Sequence, residues 1–422
     1  MRALIVGAGI GGLTTALSLH AAGIDCVVVD SVTQLRPLGV GINLQPHAVR
    51  ELTELGLGDK LAETGVRTSY MTFTDRFGGV VVALPRGLSA GYRWPQFSIH
   101  RGELQLLLLD AVVERLGPDA VRTATAFEDV EQDDDHVEGV LRDVRSGQIT
   151  RERADVLVGA DGIHSAVRAK LNPVGDPLHW TGVRMWRGVC EAEPILDGST
   201  VLVAGSSLQA KMVAYPISAR ASAAGRPLIN WVAEAPVADR SAAGEADWTR
   251  KGRLEDVLAH FADWKYPHCD VRALIEGSAR ILEYPMVDRQ PLARWQSGRV
   301  TLLGDAAHPM YPVGSNGGSQ AVLDARVLAR CLATAPDVVT GLAAYEGERR
   351  EETAALTLAH RSLPMDEAMK MISERAPEGF DDIADVLTTE ELAAVAGNQH
   401  RLTDQDVEAL NTRPSWSVAP RA

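Results

Sequence analysis

The residues with the clearest chemical capacity stand at the start of the chain, in Gly7-Ala8-Gly9-Ile10-Gly11-Gly12. In G-x-G-x-x-G spacing the first glycine permits a tight turn, the second lets backbone amides approach a pyrophosphate, and the third lets helix and strand pack closely. Gly7, Gly9 and Gly12 fill those places. A pyrophosphate seated there meets the unpaired N–H groups and positive dipole end of a helix. Asp30 stands about 20 residues on, where a carboxylate reaches ribose hydroxyls. The pattern predicts dinucleotide binding and does not separate NAD from FAD.

Such a site needs a strand, a turn, a helix and a second strand in order. Ala3-Leu4-Ile5-Val6 reads as a short buried strand, Leu13 to Ala22 has helical apolar spacing, and Cys26-Val27-Val28-Val29 is the second strand. Because the crossover is a helix, the two strands are expected to be parallel. Further on, Pro46 to Leu57 and Gly102 to Leu116 read as helices, and 71–98 as an antiparallel ribbon. Two β segments frame Gln132-Asp133-Asp134-Asp135, and Ala154 to Val158 delivers the turn Gly159-Ala160-Asp161-Gly162. Residues 175–285 read as strands rich in Val, Trp and Tyr with a helix near 254–265, and Arg299 to Leu303 as a strand before a helix from Ser319 to Ala333. The remainder is helical.

With 422 residues, 45% hydrophobic and 23% charged, the chain is ordinary for a globular protein and long enough for two domains. Its 42 basic and 56 acidic residues give a net charge of −14, a field that repels nucleic-acid phosphate and anionic lipid. The expected partner is a small molecule, with no nucleic acid and no membrane. Cys26, Cys190, Cys269 and Cys331 form no C-x-x-C pair, so no metal site is expected. No apolar run approaches the roughly 18 residues of a membrane span. The expectation is a cytoplasmic monomer or homodimer.

Two later segments narrow the cofactor. Asp161-Gly162-Ile163-His164-Ser165-Ala166-Val167-Arg168 resembles the "DG" motif, and Gly304-Asp305-Ala306-Ala307-His308-Pro309 the "GD" motif, of single-component FAD-dependent aromatic hydroxylases. With Arg101 in His100-Arg101-Gly102-Glu103-Leu104-Gln105, these landmarks fall in the family's order across residues 1–335. Gly39-Val40-Gly41-Ile42-Asn43, Gly314-Ser315-Asn316-Gly317-Gly318-Ser319-Gln320 and Glu374-Arg375-Ala376-Pro377-Glu378-Gly379-Phe380 are most similar to the phenazine-modifying members.

The resemblance implies an α/β fold: a Rossmann-like FAD-binding domain over 1–70, 99–174 and 286–335, an inserted, mainly antiparallel substrate sheet over 71–98 and 175–285, and a helical C-terminal region over 336–422. It implies FAD held by Gly7, Gly9, Gly12, Asp30, Arg101, Gln105, Asp161, Asp305, Pro312, Gly314, Gly317, Gly318 and Ser319. Asp305 suits ribityl hydroxyls, Arg101 offers a planar donor fork to a phosphate, and the amides of Gly317, Gly318 and Ser319 suit an anionic flavin edge. Many members carry Gly-Met-Asn in that last loop, so only backbone contacts carry over. Asp161 and Arg168 are the implied docking residues for NADH or NADPH, a transient co-substrate, since no second G-x-G-x-x-G is present.

The implied reaction is NAD(P)H-dependent reduction of the flavin, addition of O2 at C4a, and oxygen transfer from the hydroperoxide to an aromatic ring, with decarboxylation as an option. The protein supplies positioning, dry enclosure and electrostatics, and no side chain is expected as nucleophile or base. His308 is expected to be structural. Candidate pocket walls are Met185, Trp186, Tyr215, Trp231, Tyr284, Tyr311 and Pro312. The rivals are a flavin halogenase, an isoprenoid reductase, an NAD-dependent dehydrogenase and a flavin redox sensor. The first lacks its W-x-W-x-I-P segment here, and the dehydrogenase leaves 161–168 and 304–309 unexplained.

Overall fold

The computed structural model describes residues 1–37, 39–237, 250–261, 264, 266–403 and 406–419. The opening strand Arg2–Val6 runs parallel to Asp25–Val29 on one side and Val156–Gly159 on the other, with helix Ile10–Ala21 as the crossover. Val300–Leu302 and Val121–Arg122 extend this sheet to five parallel strands. A parallel sheet is covered on both faces and demands continuous apolar strands; Leu4 and Ile5 are accordingly fully buried. The turns after Val6, Gly159 and Leu302 therefore open side by side at strand carboxyl ends, where parallel sheets receive ligands.

A seven-stranded sheet stands against this layer, in the order Ile281–Arg289, Leu178–Glu191, Leu228–Pro236, Ala210–Pro216, Thr200–Ser206, Tyr70–Thr74, Val80–Pro85. It is antiparallel except where Thr200–Ser206 pairs with Tyr70–Thr74. The ribbon expected over 71–98 is thus divided. Its first two strands join the large sheet, whereas Gln96–His100 joins Gly41–Leu44 and Val66–Thr68 in a small sheet. The strand expected from Ala154 starts at Val156, because Ala154 pairs with Val137 and closes an antiparallel meander, Thr125–Gln132, Val137–Asp143 and Ile149–Ala154.

Helices Leu254–Phe261 and Val271–Glu276 cover the outer face of the large sheet; residues 262, 263 and 265, where the first was expected to end, lie outside the described residues. In the C-terminal region, helix Val338–His360 packs on the parallel-sheet core through Val338, Leu342 and Tyr345. Helix Pro364–Arg375 returns to the large sheet, burying Met365, Met369 and Ile372. Among the described residues no helix is long and apolar enough to cross a membrane.

Candidate active site

The glycine turn is shaped by two backbone crossings. Gly7 has φ +107°, and a Cβ there would lie 2.4 Å from the Ala160 carbonyl oxygen; a Cβ on Gly12 would lie 1.9 Å from that of Gly7. Neither position admits a side chain. Gly9 differs, for a Cβ there would meet nothing within 4 Å, because it faces a cavity of about 460 Å³. The helix that begins at Ile10 has no side-chain cap. A bare wall beside uncapped amides fits a pyrophosphate. Asp30 and Gln105 do not line the cavity but hold both polar groups of Ala8: its N–H donates to Asp30 Oδ2 at 2.7 Å, and its carbonyl accepts from Gln105 Nε2 at 2.7 Å.

Arg101 opens helix Arg101–Leu116 and lines the cavity beside Gly39. Its side chain makes no hydrogen bond or ion pair among the described residues, leaving the guanidinium for a phosphate. Asp305 has no hydrogen-bond donor among the described residues and is reached from within the cavity. The exposure of this residue is cavity surface, and the enclosing protein raises its carboxyl pKa against the opposing charges of His308 and Arg101. An acceptor without a donor on a cavity wall fits a ligand bearing hydroxyls.

Positive φ values at Gly314 (70°) and Ser315 (57°) bend the loop after Pro312 into helix Gly317–Thr334, which has no side-chain cap. Pro312, Gly314, Gly317 and Gly318 line the cavity, and a Cβ on Gly317 would lie 3.7 Å from Asp305 Oδ1. Gln45 pins the loop, donating from Nε2 to the Gly314 carbonyl at 3.0 Å. The Ser319 side chain is fully buried and its Oγ accepts the Gln45 N–H at 3.0 Å, so the contact expected of this residue rests on its backbone amide alone. His308 lies under the turn, with Nε2 2.5 Å from Asp324 Oδ2. Burial alone would raise the Asp324 pKa, but the charges and hydrogen bonds of His308 and Arg349 hold it at about 2. This is a brace for the Asp305 turn.

The residues expected to dock NAD(P)H have other work. Asp161 accepts from Ser165 Oγ at 2.5 Å and from the Ala166 N–H at 2.7 Å, bracing the first turn of helix Ala166–Leu171, whose cap is Ser165. It is absent from the cavity wall, where Ala160 and Gly162 flank it. Arg168 is 3% exposed. It pairs with Asp176 and donates to the carbonyls of Ala306 at 3.0 Å and Ala307 at 2.8 Å. It ties one turn to the other and has no face toward the cavity.

The remaining walls come from one face of the large sheet. Met185, Tyr215, Tyr284 and Tyr311 line the cavity with Pro312. Trp186 and Trp231 do not: successive strand residues point to opposite faces, so Trp186 lies across the sheet from Met185. Tyr215 pairs with Asn230, which turns Trp231 outward. Both tryptophans are in the outer core, Trp186 donating to Glu283 at 3.3 Å and Trp231 to Ser278 at 2.7 Å. The same alternation brings in Arg187, Lys211 and Glu234, and the tail helix adds Met365, Asp366 and Met369. Strand parity marks the first three in the sequence; nothing local marks the tail helix.

Gly87-Leu88-Ser89-Ala90-Gly91 has G-x-S-x-G spacing. It forms a short 3-10 turn away from the cavity, without the helix that follows a nucleophile elbow.

The description "FAD binding domain" belongs to the family that matches residues 1–359. The chain is 48% identical to phenazine 1,6-dicarboxylic acid hydroxylase PhzS of Lysobacter antibioticus, over 95% of this chain and 97% of that protein. It is 35% identical to 3-amino-4-hydroxybenzoate 2-monooxygenase PtnB3 of Streptomyces platensis, over 79% of this chain and 80% of that one. Among solved structures, Klebsiella pneumoniae HpxO complexed with FAD and uric acid superposes with a TM-score of 0.75 at 25% identity, covering 94% of this chain and 96% of that one.

Proposed function

The chain belongs to the FAD binding domain family and is an FAD-dependent aromatic monooxygenase, and from that premise we propose that its substrate is a flat, fused-ring aromatic carboxylate of the phenazine class. The observation that carries this reading is the apolar lining of the cavity on the side of the large sheet. Met71, Phe73, Val203, Val213 and Met369 line it and pack in one apolar cluster, suited to a planar ring system.

Bound FAD, reduced by NADH or NADPH, supplies with O2 an electrophilic oxygen atom. The chain's own residues bind and enclose. Gly9 and the amides after it receive the pyrophosphate, Arg101 a phosphate, and Asp305 accepts from hydroxyls. The uncapped start of helix Gly317–Thr334 favours negative charge at the wall. Helix Pro364–Arg375 closes the far side and keeps water from the ring. The four cysteines are free thiols, as suits a reducing cytoplasm.

The test is to incubate the purified yellow protein with NADH or NADPH and with phenazine carboxylates, hydroxybenzoates and quinolones. Phenazine carboxylates are expected to stimulate cofactor oxidation most, giving a product with one added oxygen atom or with hydroxyl in place of carboxylate. Stimulation confined to hydroxybenzoates or quinolones would overturn the phenazine class.

A further inference from the structure

Two cations face inward from the large sheet, Arg187 on Leu178–Glu191 and Lys211 on Ala210–Pro216. They differ in company. Lys211 Nζ lies 3.3 Å from Asp366 Oδ1 and 3.4 Å from Glu234 Oε2, so its charge is answered within the protein. Arg187 has no carboxylate within ion-pair distance among the described residues. Its Nη2 donates to the Gly41 carbonyl at 2.7 Å, its Nη1 donates to Tyr284 Oη at 3.2 Å, and its Nε has no partner. Glu234 is near enough to feel the Arg187 charge, yet it is engaged by Lys211.

A guanidinium offers five N–H donors in a planar fork. Enclosing that fork with only neutral acceptors is costly unless a counter-ion arrives. The bond to Gly41 fixes Arg187 at the seam between the sheet and the cofactor cradle, since Ile42 and Asn43 of the same small strand line the cavity. Tyr284 is on one side, and the Tyr215 hydroxyl interacts with the guanidinium on another. A cation flanked by phenols and without a carboxylate of its own is a receptor for a planar anion.

We propose that Arg187, with Tyr215 and Tyr284, holds a carboxylate of the substrate and so sets which edge of the ring system is turned toward the cofactor. This rests on the aromatic-carboxylate reading of the pocket. Arg187 is thus a specificity-determining residue, while Lys211 belongs to the wall.

The experiment compares two probes, phenazine-1-carboxylate and unsubstituted phenazine, on the oxidised FAD-loaded enzyme, reading dissociation constants from the perturbed flavin absorbance. The native protein is expected to prefer the carboxylate. R187M should weaken the carboxylate by roughly tenfold to a hundredfold, the worth of a lost charge-assisted pair, and leave phenazine within about threefold. R187K keeps the charge but loses the fork and should fall between. FAD content of each variant reports folding. An equal loss for both probes would place Arg187 on the cofactor side and overturn the proposal, as would a preference that survives R187M. Salicylate and phenol separate the two readings. If phenazines fail to bind but R187M abolishes a preference for salicylate, the subsite stands and the phenazine class falls. No preference in either pair removes the subsite, while the phenazine class is judged by turnover.

Discussion

Asp324 joins two partners at one oxygen: Oδ2 lies 2.5 Å from His308 Nε2 and accepts the Gly304 N–H at 3.0 Å. Its other oxygen accepts from Arg349 Nε at 2.8 Å. The turn that presents Asp305 is therefore held from beneath by a buried carboxylate whose pKa is about 2.

The first prediction concerns acid stability. A carboxyl whose folded pKa lies below its unfolded value contributes stability above the unfolded value and loses it as pH falls through the folded one. Asp324 should contribute roughly 2 kcal/mol at neutral pH, lost between about pH 4 and pH 2. D324N should lower the melting temperature at neutral pH by several degrees and flatten that acid limb. An unaltered acid limb in thermal unfolding would refute the assignment.

Gly9 and Gly12 should respond differently to one methyl group. A Cβ at position 12 meets the Gly7 carbonyl, so G12A should lose several kcal/mol, far more than the ~1 kcal/mol that Ala gains in a helix. At position 9 the methyl enters empty cavity. G9A should fold with a near-native apoprotein melting temperature and bind FAD at least about tenfold more weakly, since the amides can no longer be approached. Fluorescence titration with FAD measures this, and equal affinity in G9A would show that the cavity wall at Gly9 is not the cradle.

Lys211 should matter for stability. K211M leaves Glu234 and Asp366 buried without their cation, a loss on the order of 3 kcal/mol. It should also loosen helix Pro364–Arg375, which Asp366 anchors by accepting the Ser207 N–H at 2.7 Å. Faster hydrogen exchange across 364–375 is the expected signature; unchanged protection there would contradict it.

Arg168 provides the fourth. As a brace between turns, R168A should cost roughly 2 kcal/mol, because the carbonyls of Ala306, Ala307 and Gln290 lose their donor while Asp176 keeps Arg289. The apparent KM for NADH and NADPH should move by less than about threefold among the molecules that retain FAD. A KM raised tenfold or more with native stability would restore a docking role.

What the sequence determined by itself was local and periodic. The spacing of Gly7, Gly9 and Gly12 between an apolar strand and a helical repeat is a complete instruction for a parallel crossover, because the turn, its amides and its packing all lie within a few residues. The motifs around Asp161 and Asp305 pointed to FAD through their resemblance to a family rather than through spacing alone. The roles of their individual side chains were not legible, since an Asp at a strand end serves a ligand or a helix start according to what folds above it: Asp305 opens to the cavity, while Asp161 accepts from the first turn of the helix that follows it. Parity was available but needed register. Met185 and Trp186 are neighbours in sequence and on opposite faces in the sheet, and only the pairing of Tyr215 with Asn230 shows which way Trp231 turns. The tail helix carrying Met365 and Asp366 lay beyond any local signal. It reaches the pocket because Leu363, at φ 44°, turns the chain out of the preceding helix, and because Lys211, more than 150 residues earlier, holds the charge it needs. Tertiary structure decided the substrate wall, since a wall is assembled from strands and a helix that meet only when the chain is folded.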